Sequence, residues 1–161
     1  MKNMFFSKKE KSLLAVADGR AIPLSEVPDE AFASGILGVG VAIEPSGGTI
    51  CSPIDGVIES ITETGHAYTV HSDDGLDILI HIGIDTVTLG GKGFLPMVKE
   101  GYKVKTGDVI ARADLEAIRT AGLSTVTVML ITNPERLEKN EPQLGEVQGG
   151  KSEIIRYRLL K

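Results

Sequence analysis

Turn-forming residues interrupt this chain so often that a long helix has nowhere to form. Nineteen glycines and seven prolines are spread through 161 residues, and short aliphatic and β-branched runs recur between them. Glycine, proline and Asp-Gly pairs supply the backbone angles that tight turns need, so short apolar runs at this spacing read as strands of an all-β sandwich or barrel. The predicted strands are Leu13 to Val16, Ala21 to Leu24, Val41 to Glu44, Thr49 to Ser52, Gly56 to Thr62, His66 to His71, Leu76 to Ile84, Val109 to Ala113, Ser124 to Ile131 and Glu153 to Leu159. Asp18-Gly19 predicts a hairpin or bend between the first two. Helix is confined to one turn after Val27-Pro28-Asp29 that carries Phe32, to Leu115 to Thr120 capped by Asp114, and to a turn at Pro134 to Lys139.

Two stretches read alike, Ala17-Asp18-Gly19-Arg20-Ala21-Ile22 and Ile54-Asp55-Gly56-Val57-Ile58, a faint sign of a repeated unit. The glycine-rich Leu89-Gly90-Gly91-Lys92-Gly93 has no following Lys-Ser/Thr on a helix and reads as a loop, not a phosphate-binding P-loop.

With 42% apolar residues the chain can bury one core without disulfides, which predicts a single domain over 12–161 after a flexible tail, 1–11. Aromatics are 4% with no Trp, so that core is aliphatic. Acidic residues outnumber basic ones 22 to 17, a balance that disfavours nucleic acid as a partner. The single cysteine, Cys51, cannot close an intramolecular disulfide and reads as a small buried hydrophobe in a reducing compartment. No apolar run has the length of a membrane span and no signal-peptide pattern opens the chain, so a soluble, cytoplasmic protein is expected. Met4, Phe5 and Phe6 ahead of Lys8, Lys9 and Lys11 would suit a weak membrane-surface contact, although a disordered tail explains them as well.

The chemistry lies in the histidines, His66, His71 and His81. Two predicted strands flank the turn Ser72-Asp73-Asp74-Gly75. If His71 pairs with Leu76, His66 stands directly opposite His81, with Cβ atoms about 5 Å apart; if Asp74-Gly75 is a two-residue turn, the pair is diagonal at roughly 7 Å on the same face. A three-residue loop would place them on opposite faces. Ile78, Ile80, Ile82 and Ile84 alternate on one side, leaving Asp77, Leu79, His81 and Gly83 on the other. Facing imidazoles suit a phosphoryl carrier, because a neutral ring nitrogen is nucleophilic near pH 7 and the second ring can donate a hydrogen bond to phosphoryl oxygens. Thr64, two residues before His66, is placed to orient that ring. Two ordinary strand histidines and a zinc pair awaiting a third ligand remain alternatives. His71 reads as a solvated turn residue on the other face.

The segment Gly75-Leu76-Asp77-Ile78-Leu79-Ile80-His81-Ile82-Gly83-Ile84-Asp85-Thr86-Val87 resembles the phosphorylation-site signature of the glucose-class enzyme IIA domain of the bacterial phosphotransferase system. The resemblance takes in Val27-Pro28-Asp29 with Phe32, Ser52-Pro53-Ile54-Asp55-Gly56, Thr64-Gly65-His66-Ala67, Gly91-Lys92-Gly93-Phe94 and Glu100-Gly101-Tyr102-Lys103-Val104, and so covers nearly the whole chain. It implies an antiparallel β-sandwich or barrel with Greek-key and jelly-roll character. It also implies a phosphotransferase that receives a phosphoryl group on His81 from the carrier protein HPr and passes it to a cysteine of a sugar transporter's IIB domain, with His66 in support. The resemblance further implies that Asp29 and Asp85 meet an arginine of HPr, inside an apolar rim of Phe32, Ile36, Leu37, Leu79 and Ile82. No cofactor or metal is implied. Val39 stands where the family commonly has Asp, and Ile82 replaces a usual Phe. A regulatory module whose phosphorylation state controls other proteins is the alternative function.

Overall fold

Burial along Asp77–Ile82 alternates strictly, with Ile78, Ile80 and Ile82 fully buried and Asp77, Leu79 and His81 partly exposed. A strand whose faces differ this way lays one face on a core and leaves the other to solvent or to a thinner cover. The computed structural model describes residues 9–160. Its first strands are β1 (Lys11–Leu14), β2 (Gly19–Pro23), β3 (Val39–Pro45), β4 (Thr49–Cys51), β5 (Gly56–Ile61), β6 (Ala67–Ser72) and β7 (Asp77–Ile82). The second half adds β8 (Phe94–Pro96), β9 (Lys103–Val104), β10 (Val109–Ala113), β11 (Thr127–Ile131), β12 (Leu137–Pro142), β13 (Gly145–Val147) and β14 (Glu153–Leu159). Among the described residues, helix is limited to α1 (Glu30–Ala33), α2 (Leu115–Thr120) and short 3-10 turns.

An eight-stranded sheet ordered β13-β2-β3-β11-β7-β6-β5-β9 packs with two three-stranded sheets, β1-β14-β12 and β4-β10-β8. All the pairings are antiparallel, as expected for an all-β sandwich. The main core draws Leu13, Ile50, Ile58, Ile80, Ile110 and Ile155 from all three sheets. A second cluster lies on the opposite face of the large sheet. There α1 and the chain before it lay Val27 and Phe32 against Ile22, Ala42, Val128 and Leu130, with Leu79 packed alongside. This outer cluster positions the functional site, because His81 leaves β7 on the same face, opposite Val128 of β11.

Several sequence expectations are corrected. β1 and β2 do not form a hairpin: β1 pairs with β14, and β2 with β3 and β13. The Asp18-Gly19 bend carries the chain from one sheet to another, because Ala15, Val16 and Ala17 are drawn wholly into the core between them. Leu24 opens a 3-10 turn after Pro23 instead of ending the strand. The turn at Pro134 stops at Arg136, and Leu137 begins β12 on the β14 ladder. Lys11, assigned to the tail, is already in β1 and pairs with Asp74 across 3.0 Å. Met4, Phe5, Phe6 and Lys8 lie outside the described residues.

The faint repeat is structural. Asp18 accepts the Gly149 N–H at 2.8 Å while Asp55 accepts that of Thr106 at 2.8 Å. Gly19 faces Val147 on the ladder as Gly56 faces Val104. Two Asp-Gly turns thus start equivalent strands by the same bonding scheme.

Candidate functional site

The hairpin joining β6 and β7 takes the register that would separate the histidines. Ser72 bonds to Leu76 around the loop Asp73-Asp74-Gly75, and the ladder runs Ala67↔His81, Thr69↔Leu79, His71↔Asp77. Gly75 at φ +94° supplies the left-handed residue that closes an odd-numbered loop. Ala67, not His66, therefore faces His81 on the strand. The imidazoles nevertheless meet, with ring centroids 4.9 Å apart at 80°. His66 departs from the alternation at the end of the ladder, one residue before Ala67: its carbonyl still accepts the Ile82 N–H at 2.8 Å, but it directly follows the turn closed by the Gly65 N–H to the Thr62 carbonyl. Gly65 sits at φ +74°, and the Thr64 hydroxyl lies 2.5 Å from Nδ1 of His66, holding the ring toward His81. The Thr62 hydroxyl lies 3.3 Å from the same nitrogen.

His81 is fixed from the other side. Its Nδ1 lies 2.7 Å from the carbonyl oxygen of Gly83, and a carbonyl only accepts, so Nδ1 carries the proton and Nε2 keeps its lone pair. The Phe32 ring stands edge-on to the imidazole at 5.1 Å, and Phe94 flanks His66 at 6.4 Å. Phe94 is a neighbour that sequence reasoning did not single out, although its Gly91-Lys92-Gly93-Phe94 segment was visible.

The other expected residues divide. Asp29 caps α1, its Oδ1 accepting the Ala31 N–H at 2.9 Å, and its charge together with that of Asp85 is felt by His81. Asp85 takes φ +61°, alone among described non-glycine residues in the left-handed region, which aspartate tolerates. Ile36 and Leu37 are 80% and 44% exposed and stand after α1 as an open apolar edge, and Val87, 54% exposed, follows Asp85. Leu79 is packed against the outer cluster. Ile82 does not belong to the rim: it is 0% exposed in the main core, because alternation sends the even-numbered residues of β7 inward. Val39 opens β3 opposite Ile131, an ordinary strand position.

Burial holds the His81 ring below its ordinary pKa, outweighing the Gly83 carbonyl and the two carboxylates, which act the other way. Burial, then the neighbouring His81, lowers His66 in the same direction. His71 departs from its expected place: it lies in β6 on the same face as Asp77 and is raised by its 2.6 Å hydrogen bond to that carboxylate. An NMR titration should therefore separate the histidines, His66 and His81 titrating below about 6.5 and His71 above it. The sign for stability follows. The unfolded chain binds more protons than folded His66 and His81 once the pH falls below about 6.5, so their contribution is complete above that value and lost beneath it. The His71 contact behaves oppositely, complete below about 6.5 and lost as pH rises through its raised value. A His81 that titrates above 6.5 would contradict the burial argument.

Among the described residues, Glu59, His71 and Asp77 bring ligand atoms within 4.8 Å of one another. They lie on three neighbouring strands, and His71 and Asp77 are at the hairpin end of β6 and β7, away from His81. No described helix is long and apolar enough to cross a membrane.

Residues 11–137 match the family described as "phosphoenolpyruvate-dependent sugar phosphotransferase system, EIIA 1". The glucose-specific EIIA component of Oceanobacillus iheyensis is 39% identical over 159 residues, covering 96% of each chain. The glucose-specific EIICBA component of Streptococcus pneumoniae is 44% identical over 133 residues, 83% of this chain but 18% of that longer protein. Among solved structures, glucose permease IIA from Mycoplasma capricolum superposes with a TM-score of 0.85 at 35% identity, covering 94% of this chain and 97% of that one. The chain belongs to the EIIA 1 family of the phosphoenolpyruvate-dependent sugar phosphotransferase system.

Proposed function

We propose that this chain is a phosphocarrier in sugar uptake that accepts a phosphoryl group from phospho-HPr on Nε2 of His81 and donates it to the cysteine of a sugar-specific IIB domain. The observation that carries the proposal is the His81 Nδ1–H bonded at 2.7 Å to Gly83, which leaves the Nε2 lone pair beside a second imidazole. In the first step Nε2 attacks phosphorus, an N–P bond forms, and the bond to the HPr histidine breaks. In the second, the IIB thiolate attacks, an S–P bond forms, and the lone pair returns to Nε2.

While His81 holds the group, its ring carries phosphorus on one nitrogen and hydrogen on the other and is cationic. The Gly83 carbonyl and the charges of Asp29 and Asp85 stabilise that cation. His66, with Thr64 on its Nδ1, can direct an Nε2–H at the phosphoryl oxygens when the hydroxyl donates to Nδ1. The EIICBA component of Streptococcus pneumoniae, whose name joins this type of domain to B and C components, supports a IIB acceptor. Incubation with enzyme I, HPr and phosphoenolpyruvate, followed by intact mass measurement, tests the reading. The expected result is one added phosphoryl group, and an unchanged mass would overturn it.

Asp29 and Asp85 are proposed to attract a basic HPr surface. The sharp variants are Asp29→Asn and Asp85→Asn, because Asn still caps α1, whereas Ala at residue 29 would cost about 1 kcal/mol of capping. The paired Asn variant should slow transfer from phospho-HPr several-fold at low ionic strength, with the difference shrinking as salt screens it. Equal rates for variant and parent at low salt would show that these charges do not recruit the donor.

A further inference from the structure

We propose that Thr86 is a positioning residue that selects which nitrogen of His81 is free to react, by clamping the turn that aims the Gly83 carbonyl. The inference rests on the phosphocarrier reading, but its first test does not require phosphoryl transfer. Thr86 is 0% exposed and uses both arms of its side chain. Its hydroxyl donates to the Ile82 carbonyl across 2.5 Å, fixing the plane of the Ile82–Gly83 peptide where the chain leaves β7. Its methyl occupies the space above the bare Cα of Gly83, since a Cβ built on that glycine would meet Cγ2 of Thr86 at 2.5 Å.

Gly83 lies at φ +75°, a region open to glycine at little cost. A glycine with such freedom has no intrinsic reason to keep its own carbonyl pointed at Nδ1 of His81. The clamp supplies that reason: Thr86 holds the peptide before Gly83, and the Ile84 N–H bonded to the Ser124 carbonyl at 3.0 Å holds the peptide after it. With both neighbouring peptides held, the Gly83 carbonyl stays 2.7 Å from Nδ1, and the proton stays there with it.

The two arms can be removed one at a time. Thr86→Val keeps the methyl packing and loses the hydroxyl, while Thr86→Ser keeps the hydroxyl. In the unphosphorylated chain, nitrogen NMR of His81 should show Nδ1 protonated in the parent and in Thr86→Ser, and a mixture of the two tautomers in Thr86→Val. Phosphorylation by phospho-HPr should slow about tenfold in Thr86→Val, the loss expected for one hydrogen bond, and recover in Thr86→Ser. Phosphorus NMR should find phosphate on both ring nitrogens only in Thr86→Val. A merely structural role would lower the melting temperature without moving the tautomer, so an unchanged Nδ1–H tautomer in a folded Thr86→Val would overturn the inference. If Thr86→Val does not fold, Thr86→Ala, which removes both contacts without adding bulk, decides by the same spectrum. A parent chain that shows the tautomer shift on mutation yet takes no phosphate would sink the phosphocarrier reading and leave the clamp standing.

Discussion

Replacing His81 with Ala is expected to abolish labelling from phospho-HPr, reducing it to background while the chain stays folded. The expectation rests on chemistry, since Nε2 of His81 is the nucleophile and no other group in the site can take its place. His66 is the nearest rival, but its Nδ1 is engaged by Thr64 at 2.5 Å, and its ring stands beside His81 without a carbonyl to fix the opposite tautomer. Losing the nucleophile removes the covalent route entirely instead of raising its barrier by a few kcal/mol. Labelling should be followed by intact mass, with circular dichroism to confirm the fold. Labelling that survives in His81→Ala but disappears in His66→Ala would reverse the assignment.

The second large effect concerns His66. Its imidazole is nearly buried at 7% exposure, neutral near pH 7 and 4.9 Å from the ring that would carry phosphate, so it can donate to oxygens that gain charge during transfer. Loss of one preorganised donor of this kind typically costs about a hundredfold or more in rate. His66→Ala should therefore slow onward transfer to the IIB cysteine by about that factor, measured by rapid quench from the phosphorylated chain. His66→Gln is the sharper variant because the amide still donates but does not titrate. It is expected to accept phosphate from HPr and pass it on poorly, because the amide lacks the Nδ1 contact through which Thr64 holds the donor toward His81, a split between the two half-reactions that loss of packing alone would not produce. Normal onward transfer by both variants would show that the second ring is structural only.

Much of the fold was legible because local physics decided it. Leu115–Thr120 is a helix between an Asp114 side chain that caps the Ala117 N–H at 3.1 Å and a glycine that ends it, and both signals were in the sequence. Val109–Ala113 and Glu153–Leu159 appear with the bounds that their apolar runs predicted. Of the strands that the sequence did not reveal, β8, β9 and β13 have two or three residues, too few to display any alternation, while β12 is a mostly polar run, read in part as a helical turn, that is a strand because the β14 ladder offers it partners. The Asp18-Gly19 turn looked like a hairpin because the local pattern of a turn between two apolar runs carries no information about which strand each run will pair with.

The site divides along the same line. Local pattern alone told that β7 has one buried and one open face, that His81 lies on the open one, and that Thr64 can reach His66; these follow from a two-residue period and from short sequence separations. The resemblance to a known signature added the reactive role. How the histidines meet depends on long-range packing. The loop Asp73-Asp74-Gly75 sets a register that puts Ala67 opposite His81, and His66 reaches the site from the last rung of the ladder, where the Gly65 turn frees it from the strand's alternation. The structure also moved Ile82 from rim to core and brought Phe32 across from α1 onto His81. These contacts join residues distant in sequence through packing, whose free energy depends on all the surfaces meeting at once, and no local pattern encodes that sum.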